Sequence, residues 1–250
     1  MTYRSIVAPK TDKIAVSHSH ALGVANYDLE ELYSPDTAFW KSKVLDLGSP
    51  KYNPNKTYWF DRSRYRNHGT ISGATWAQLP SGIWGLKFDG NDYITIPDAP
   101  SLRLTTGSLG VLFRPNVITG GKDIRALIGK TIRNQAGHWS FGYSSTVGTL
   151  EVSAGTTQAT STGAITMNGS AWCLAFVVLD GTNANFYIND RLDSSKAFAG
   201  FASNTNTLYI GDDTQSRWID ATAARVWMTS MVLNLAQIQS IYRDVIRMCK

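Results

Sequence analysis

The chain reads as an all-β protein, an antiparallel sandwich of two sheets, with an N-terminal arm ahead of it and a short helix behind. Three observations lead there. Short runs alternate apolar and polar residues with the period of a half-buried strand, as where Leu86 and Phe88 flank Lys87. Those runs are filled with β-branched and aromatic residues, the types that suit a pleated surface; aromatics make up 11% of the chain. Between them fall 21 glycines with Asn, Asp and Pro, which supply turns. At 250 residues and 43% hydrophobic content, one large β domain plus an extension is expected.

Taken in order, residues 1–56 form the arm, 57–234 the sandwich and 235–250 the C-terminal helix and tail. In the arm, Ser5 to Pro9 and Lys13 to Ser17 read as short strands and Asp28 to Tyr33 as one helical turn, while Pro35, Pro50 and Pro54 punctuate the rest. His18 and His20 share one side of an extended segment, two of the ligands a zinc would need. No other His or Cys is close in sequence, so surface histidines are the simpler reading. The arm holds few apolar runs and cannot form a core alone. Its apolar side chains, among them Val7, Ile14, Phe39, Val44 and Leu47, are expected to pack mainly on another subunit, with a strand on its own domain as the plainer alternative.

The sandwich centres on a hairpin. Asp89 to Asp92 tolerate the positive φ of a tight turn, Tyr93 to Ile96 form the returning strand, and Pro97 ends it. Leu109 to Pro115, Ala126 to Lys130, His138 to Tyr143 and Thr149 to Ser153 follow as strands. The Thr-, Ser- and Ala-rich stretch from Gly155 to Gly163 is either a polar strand or a loop. Phe88, Tyr93, Ile94, Ile96, Trp172, Phe176, Val178, Ile210, Val226 and Trp227 are expected to fill the interior. After Asn234, a plausible N-cap, Leu235, Ile238, Ile241, Tyr242, Val245 and Met248 recur at helical spacing. That apolar face is long enough to suggest docking on the arm or on another subunit.

Asp61, Ser63, Asn67, His68 and Gly69, then Gly73 and Trp76, then Phe88, Asp89, Gly90, Asp92, Tyr93 and Pro97, then Ser101 and Leu102, stand in the order and spacing of a known pattern. They resemble the laminin-G-like, concanavalin A-like jelly rolls. Trp172 to Thr182, Phe186 to Asp190, Leu208 to Gly211 and Trp218 to Trp227 continue the likeness. The resemblance implies a concanavalin A-like jelly roll and a habit of glycan or protein binding, without assigning one function. It also implies a structural calcium between the Asp61 loop and Asp220, with Asp89 and Asp92 as a second pair. Such an ion needs several oxygen ligands, which Asp- and Asn-rich turns supply. Asp89 and Asp92 could equally cap their own turn.

Counting tests the enzymes of this fold. Many carry two or three acids on one strand face, as nucleophile and general acid. Here the only glutamates are Glu30, Glu31 and Glu151: the first two are adjacent in the arm and would point apart on a strand, and Glu151 has no second acid two or four residues away. A glycanase is therefore the last-ranked reading. Glycan binding without catalysis needs exposed aromatic platforms, and Trp84, Trp139 and Trp218 are the candidates, with burial in the core as the competing reading for each. The net charge of +5 points to no nucleic-acid groove. Arg62, Arg64 and Arg66 would share one face if extended, though a solvated loop is simpler. Cys173 reads as a core thiol and Cys249 as free. No apolar run approaches a membrane span and no signal peptide is evident. The expectation is a non-enzymatic structural protein of an assembly, most plausibly a virion component made in the host cytoplasm. It is expected to contact other subunits through residues 1–56 and the C-terminal helix, with glycan or host-surface binding as an added role, and to contact no nucleic acid or membrane span; a carbohydrate-binding, lectin-like adhesin is the alternative reading.

Overall fold

The structure, a computed structural model, describes residues 37–52, 54–116, 123–130, 137–212 and 216–249. Expectations for residues 1–36, including His18, His20, Glu30 and Glu31, lie outside the described residues. Helix α1 (Thr37–Ser42) leads into β1 (Lys43–Gly48). Then come β2 (Tyr58–Trp59), β3 (Gly69–Ser72), β4 (Thr75–Gln78), β5 (Trp84–Asp89), β6 (Tyr93–Ile96), β7 (Gly107–Pro115) and β8 (Ile124–Lys130). The second half holds β9 (Trp139–Ser144), β10 (Thr149–Ala154), β11 (Thr157–Ala164), β12 (Cys173–Leu179), β13 (Asn183–Ile188), β14 (Arg191–Ala197), β15 (Leu208–Ile210) and β16 (Asp220–Thr229), and then α2 (Leu235–Ile246).

All described pairings are antiparallel and make two sheets of eight strands. Sheet one runs β14-β13-β12-β7-β16-β5-β4, with β1 also on β16; sheet two runs β11-β10-β9-β8-β15-β6-β3-β2. The all-β, two-sheet expectation with one short C-terminal helix holds. The undecided stretch after Gly155 is strand β11, with Ala159 and Ser161 buried and its other side chains more open.

Two cores, not one, are stabilised by burial. Between the sheets lie Phe88, Ile94, Ile96, Phe113, Phe141, Val177, Ile210 and Val226 among others. On the outer face of sheet one, a second core joins Phe176, Val178 and Trp227 to Ile238, Ile241 and Val245 of α2 and to Phe39 of α1. The expectation that Phe176, Val178 and Trp227 fill the sandwich interior is thus corrected: they face the helices. Tyr93 and Trp172 are only half-buried. β12 is apolar at every position because both its faces are covered, which is why its sequence shows no alternation. Within β16 a register shift between Ala223 and Arg225 changes the parity, so Ala221 and Ala223 face the other sheet before it and Val226 and Met228 after it. Gly110 of β7 lies beneath the Phe176 ring, and a Cβ there would sit 2.4 Å from it.

Both ends of the described chain are spent on this domain. Asn234 caps α2 as expected, accepting from Gln237 N at 3.0 Å while the Gln237 side chain accepts from Asn234 N at 3.0 Å. The apolar face of α2 packs on its own sheet and shares its cluster with Phe39 of the expected arm, while Leu235 at its start stands exposed. Residues 43–48 of the expected arm are a strand of the sandwich, with Leu45 opposite Met228 and Leu47 opposite Val226, both leucines fully buried. Deleting residues 1–48 should leave no cooperative transition in a urea melt, because β16 loses a partner and both leucines.

Candidate functional site

The Asp61 turn is built to hold β1. Asp61 forms an isolated bridge with Leu47. Its Oδ1 accepts from Asp46 N and Ser63 N, each at 2.8 Å. Its Oδ2 accepts from Ser63 Oγ and Asn67 N, each at 2.7 Å. A carboxylate offers about four lone-pair sites, and all four are used. Asn67 Nδ2 also donates to Val44 O and to Ser101 Oγ, both at 3.0 Å. These motif residues therefore tie the turn to β1, and the turn and strand use the oxygens of Asp61. The structure does not bring Asp61 next to Asp220. Leu47 lies opposite Val226, and Asp220 is six residues further along β16, about 20 Å away at ~3.4 Å per residue.

Asp220 instead lies directly across from Asp89. Asp89 N donates to Asp92 Oδ2 at 2.9 Å, and the Asn91 amide nitrogen lies 2.8 Å from Asp89 Oδ1 and 3.2 Å from Asp92 Oδ1. Burial, with the Asp89 charge adding to it, holds the Asp92 carboxyl above its ordinary value. Asp220 Oδ1 accepts from Asn116 Nδ2. Asp92 thus caps its own turn while Asp220 ties β16 to Asn116, and among the described residues no three His, Cys, Asp or Glu side chains group to hold a metal. Trp218 is half-buried at this end, where its carbonyl accepts from Arg125 Nη1 at 3.1 Å. Trp84 is half-buried at the far end of β5, five residues or about 17 Å from Asp89. Trp139 is 1% exposed and stacks on Phe201 at 4.3 Å between ring centres. Trp139 is thus corrected to a core residue, and Trp84 and Trp218 form no joint platform.

The exposed aromatic surface lies elsewhere, on the edge strand of sheet two. Through β2 and the two residues after it, the chain alternates Tyr58 and Phe60, 43% and 46% exposed, with buried Trp59 and Asp61. The Tyr58 and Phe60 rings are 6.3 Å apart, and Phe60 meets the His68 ring edge-on at 5.1 Å. His68 is held in turn, its Nδ1 accepting from Asp61 N at 3.0 Å. Asn55 Oδ1 accepts from Thr57 N and Tyr58 N at 2.8 and 2.9 Å, and Trp76 Nε1 donates to Asn55 O at 2.8 Å. Beneath them Trp59 Nε1 donates to Gly48 O at 2.9 Å. In the following turn Tyr65, 41% exposed, carries the Arg64 guanidinium 4.8 Å above its ring. Tyr52, the most exposed large apolar side chain described, lies under Lys51. The rings are fixed from below by this scaffold and open above.

A laminin G-type model of the concanavalin A-like lectin/glucanases superfamily matches residues 88–239. The chain belongs to this superfamily. No curated protein matches it. Domain 4 of an extracellular arabinanase from Geobacillus stearothermophilus, solved with arabinotriose, has a TM-score of 0.63 at 12% identity, over 80% of this chain and 98% of that one. The botulinum neurotoxin serotype D binding domain has 0.62 at 15%, over 84% and 52%. Trypanosoma rangeli sialidase with the inhibitor DANA has 0.60 at 14%, over 81% and 33%. This chain thus spans about half of the neurotoxin domain and a third of the sialidase, and the likeness is one of fold.

As a concanavalin A-like protein the chain carries its aromatic edge ahead of the matched stretch, so the family match assigns nothing to it. The sequence did hold a signal. Tyr52, Tyr58, Trp59, Phe60 and Tyr65 crowd one short segment, and the alternation from Tyr58 to Asp61 places Tyr58 and Phe60 on one side. Arg62, Arg64 and Arg66 do not share a face: the segment turns, Arg62 Nη2 donates to Ser49 O at 2.8 Å, Arg64 lies on Tyr65, and Arg66 has φ 55°. Both cysteines are free and buried, so Cys249 is a core thiol as well, and burial pushes each up to about 12.

Proposed function

We propose that this chain is a non-catalytic recognition module that binds a glycan at the aromatic edge, carried on a larger assembly. The observation that carries the reading is the pair of exposed rings of Tyr58, on an edge strand, and Phe60, just after it, with Tyr65 in the adjoining turn. Aromatic faces meet the C–H faces of sugars at little entropic cost when the rings are already held in place. The lectin-type fold and the arabinotriose found on a similar domain support it. Against catalysis stands Glu151, whose neighbours across the sheet are Gly142 and Thr160 rather than a second acid. A virion is the setting we favour for the assembly, on the strength of the sequence ahead of Thr37. That segment carries the apolar side chains Val7, Ile14, Val16, Leu22, Leu29 and Leu32, which suit packing on a neighbouring subunit. Among the described residues, the Asp89–Asp92 turn facing Asp220 is the candidate place for a calcium ion in this reading.

A glycan array read with the full chain in calcium and again in chelator is the test. Binding to defined oligosaccharides should fall about tenfold or more in Tyr58→Ala/Phe60→Ala, a loss of roughly 1.4 kcal/mol or more. Binding that survives this double variant would move the site elsewhere, and an array without hits would end the reading. If calcium takes part, chelator alone should reduce the signal.

A further inference from the structure

The aromatic edge carries a second property that the rings alone do not explain. Between residues 51 and 68 stand Lys51, Lys56, Arg62, Arg64 and Arg66, against a single acid, Asp61. Asp61 is buried and its oxygens are saturated by the turn and by β1, so it offers nothing to a ligand. This one stretch accounts for most of the chain's formal net charge of +5. Lys51, Lys56, Arg64 and Arg66 are exposed, and two of these cations lie over the exposed rings Tyr52 and Tyr65.

Resting on the glycan reading above, we propose that the ligand of this edge is an anionic glycan, one bearing carboxylate or sulfate groups. Arg64 is the residue best placed to read the acid. Its Nη2 donates to the Tyr65 hydroxyl at 2.7 Å, and the guanidinium lies over the ring, which holds a planar fork of donors in one orientation at the surface. A fork held this way meets a carboxylate or sulfate with two parallel N–H···O bonds, which a mobile ammonium does not. Lys56, next to the Asn55 cap that fixes Tyr58, adds a point charge beside the rings. The division of labour is chemical: Tyr58 and Phe60 take the apolar face of a sugar ring, and Arg64 and Lys56 take its acid. Because these charges are exposed, their share of the affinity is screened by salt over a Debye length of about 10 Å at ~0.1 M.

The test compares neutral oligosaccharides with their carboxylated and sulfated counterparts on the same backbones, using the full chain at about 50 mM and about 300 mM salt. The acidic forms should bind preferentially, with affinity falling several-fold or more between the two salts. Arg64→Glu should lose the acidic ligands by about tenfold or more while retaining its melting temperature, and Lys56→Glu should do so to a smaller degree. Equal binding of neutral and acidic forms, unaffected by salt or by Arg64→Glu, would overturn the proposal while leaving the glycan reading intact. Binding to single-stranded nucleic acid or anionic vesicles with no sugar hit would overturn both.

Discussion

Asp46→Asn should destabilise the domain by about 3–5 kcal/mol, the usual loss when one partner of a buried ion pair is removed. Asp46 is buried in β1 and receives two cations that are buried as well. Lys43 Nζ lies 2.6 Å from its Oδ2, and Arg225 reaches Oδ1 through Nε at 3.0 Å and Oδ2 through Nη2 at 3.1 Å. Lys43 and Asp46 can face one way because a register shift between Lys43 and Leu45 breaks the strand's alternation. Burial alone would raise the Asp46 carboxyl, but Arg225 and then Lys43 hold it well below the usual carboxylate range. A depressed folded-state value contributes stability that is fully present above the unfolded value of about 3.9 and is lost as pH falls through the folded one. Urea midpoints measured downward from pH 5 should fall in the wild type and fall less in Asp46→Asn, which starts lower. Equal slopes would show that other acids carry the decline.

Trp227→Ala should cost a similar amount, about 3–5 kcal/mol, because it empties the centre of the outer core. The indole stacks on Phe176 at 5.7 Å with 18° between ring planes, and the Arg225 guanidinium lies 5.2 Å from it. Its Nε1 is buried without an acceptor. Trp227→Phe keeps a ring against Phe176 and removes an unsatisfied donor, so its loss should stay below about 1.5 kcal/mol. Thermal melts of both variants, followed by the helical signal of α2, decide the matter. Equal losses would mean that the indole's nitrogen side, not its stacking, holds the helix.

What could be read in advance follows from how local its cause is. The Asp89–Asp92 turn is set by φ preferences, and Gly90 does take φ 102°. The Asn234 cap is set by the reach of one side chain. Both are legible from a few residues. The faces of β12 and β16 are not, because a sheet covered on both sides has no polar face to mark the period, and a one-residue shift inside β16 reverses the parity. Trp139 and Phe60 show the same limit at the site. One tryptophan beside a turn is buried by Phe201, which lies far along the chain, and one phenylalanine beside a motif is left open because β2 has a single neighbour. The resemblance drew attention to Asp61, whose role is to fasten a strand, and away from the rings beside it.

The position of β16 governs how the protein can be made. It is the last strand in the sequence and an inner strand of its sheet, joining β7 on one side to β5 and β1 on the other. A nascent chain that ends before Asp220 therefore has sheet one in three pieces: β14 to β7, the β4–β5 hairpin, and a lone β1. Loop closure over such sequence separations is slow. During translation the open β7 edge waits, with the apolar face of Leu109, Val111 and Phe113 still uncovered on that side, for a partner still inside the ribosome, and such edges are where chains stick to one another. Yield in a cell should then depend on chaperone supply and on growth temperature more than the finished domain's stability alone would suggest.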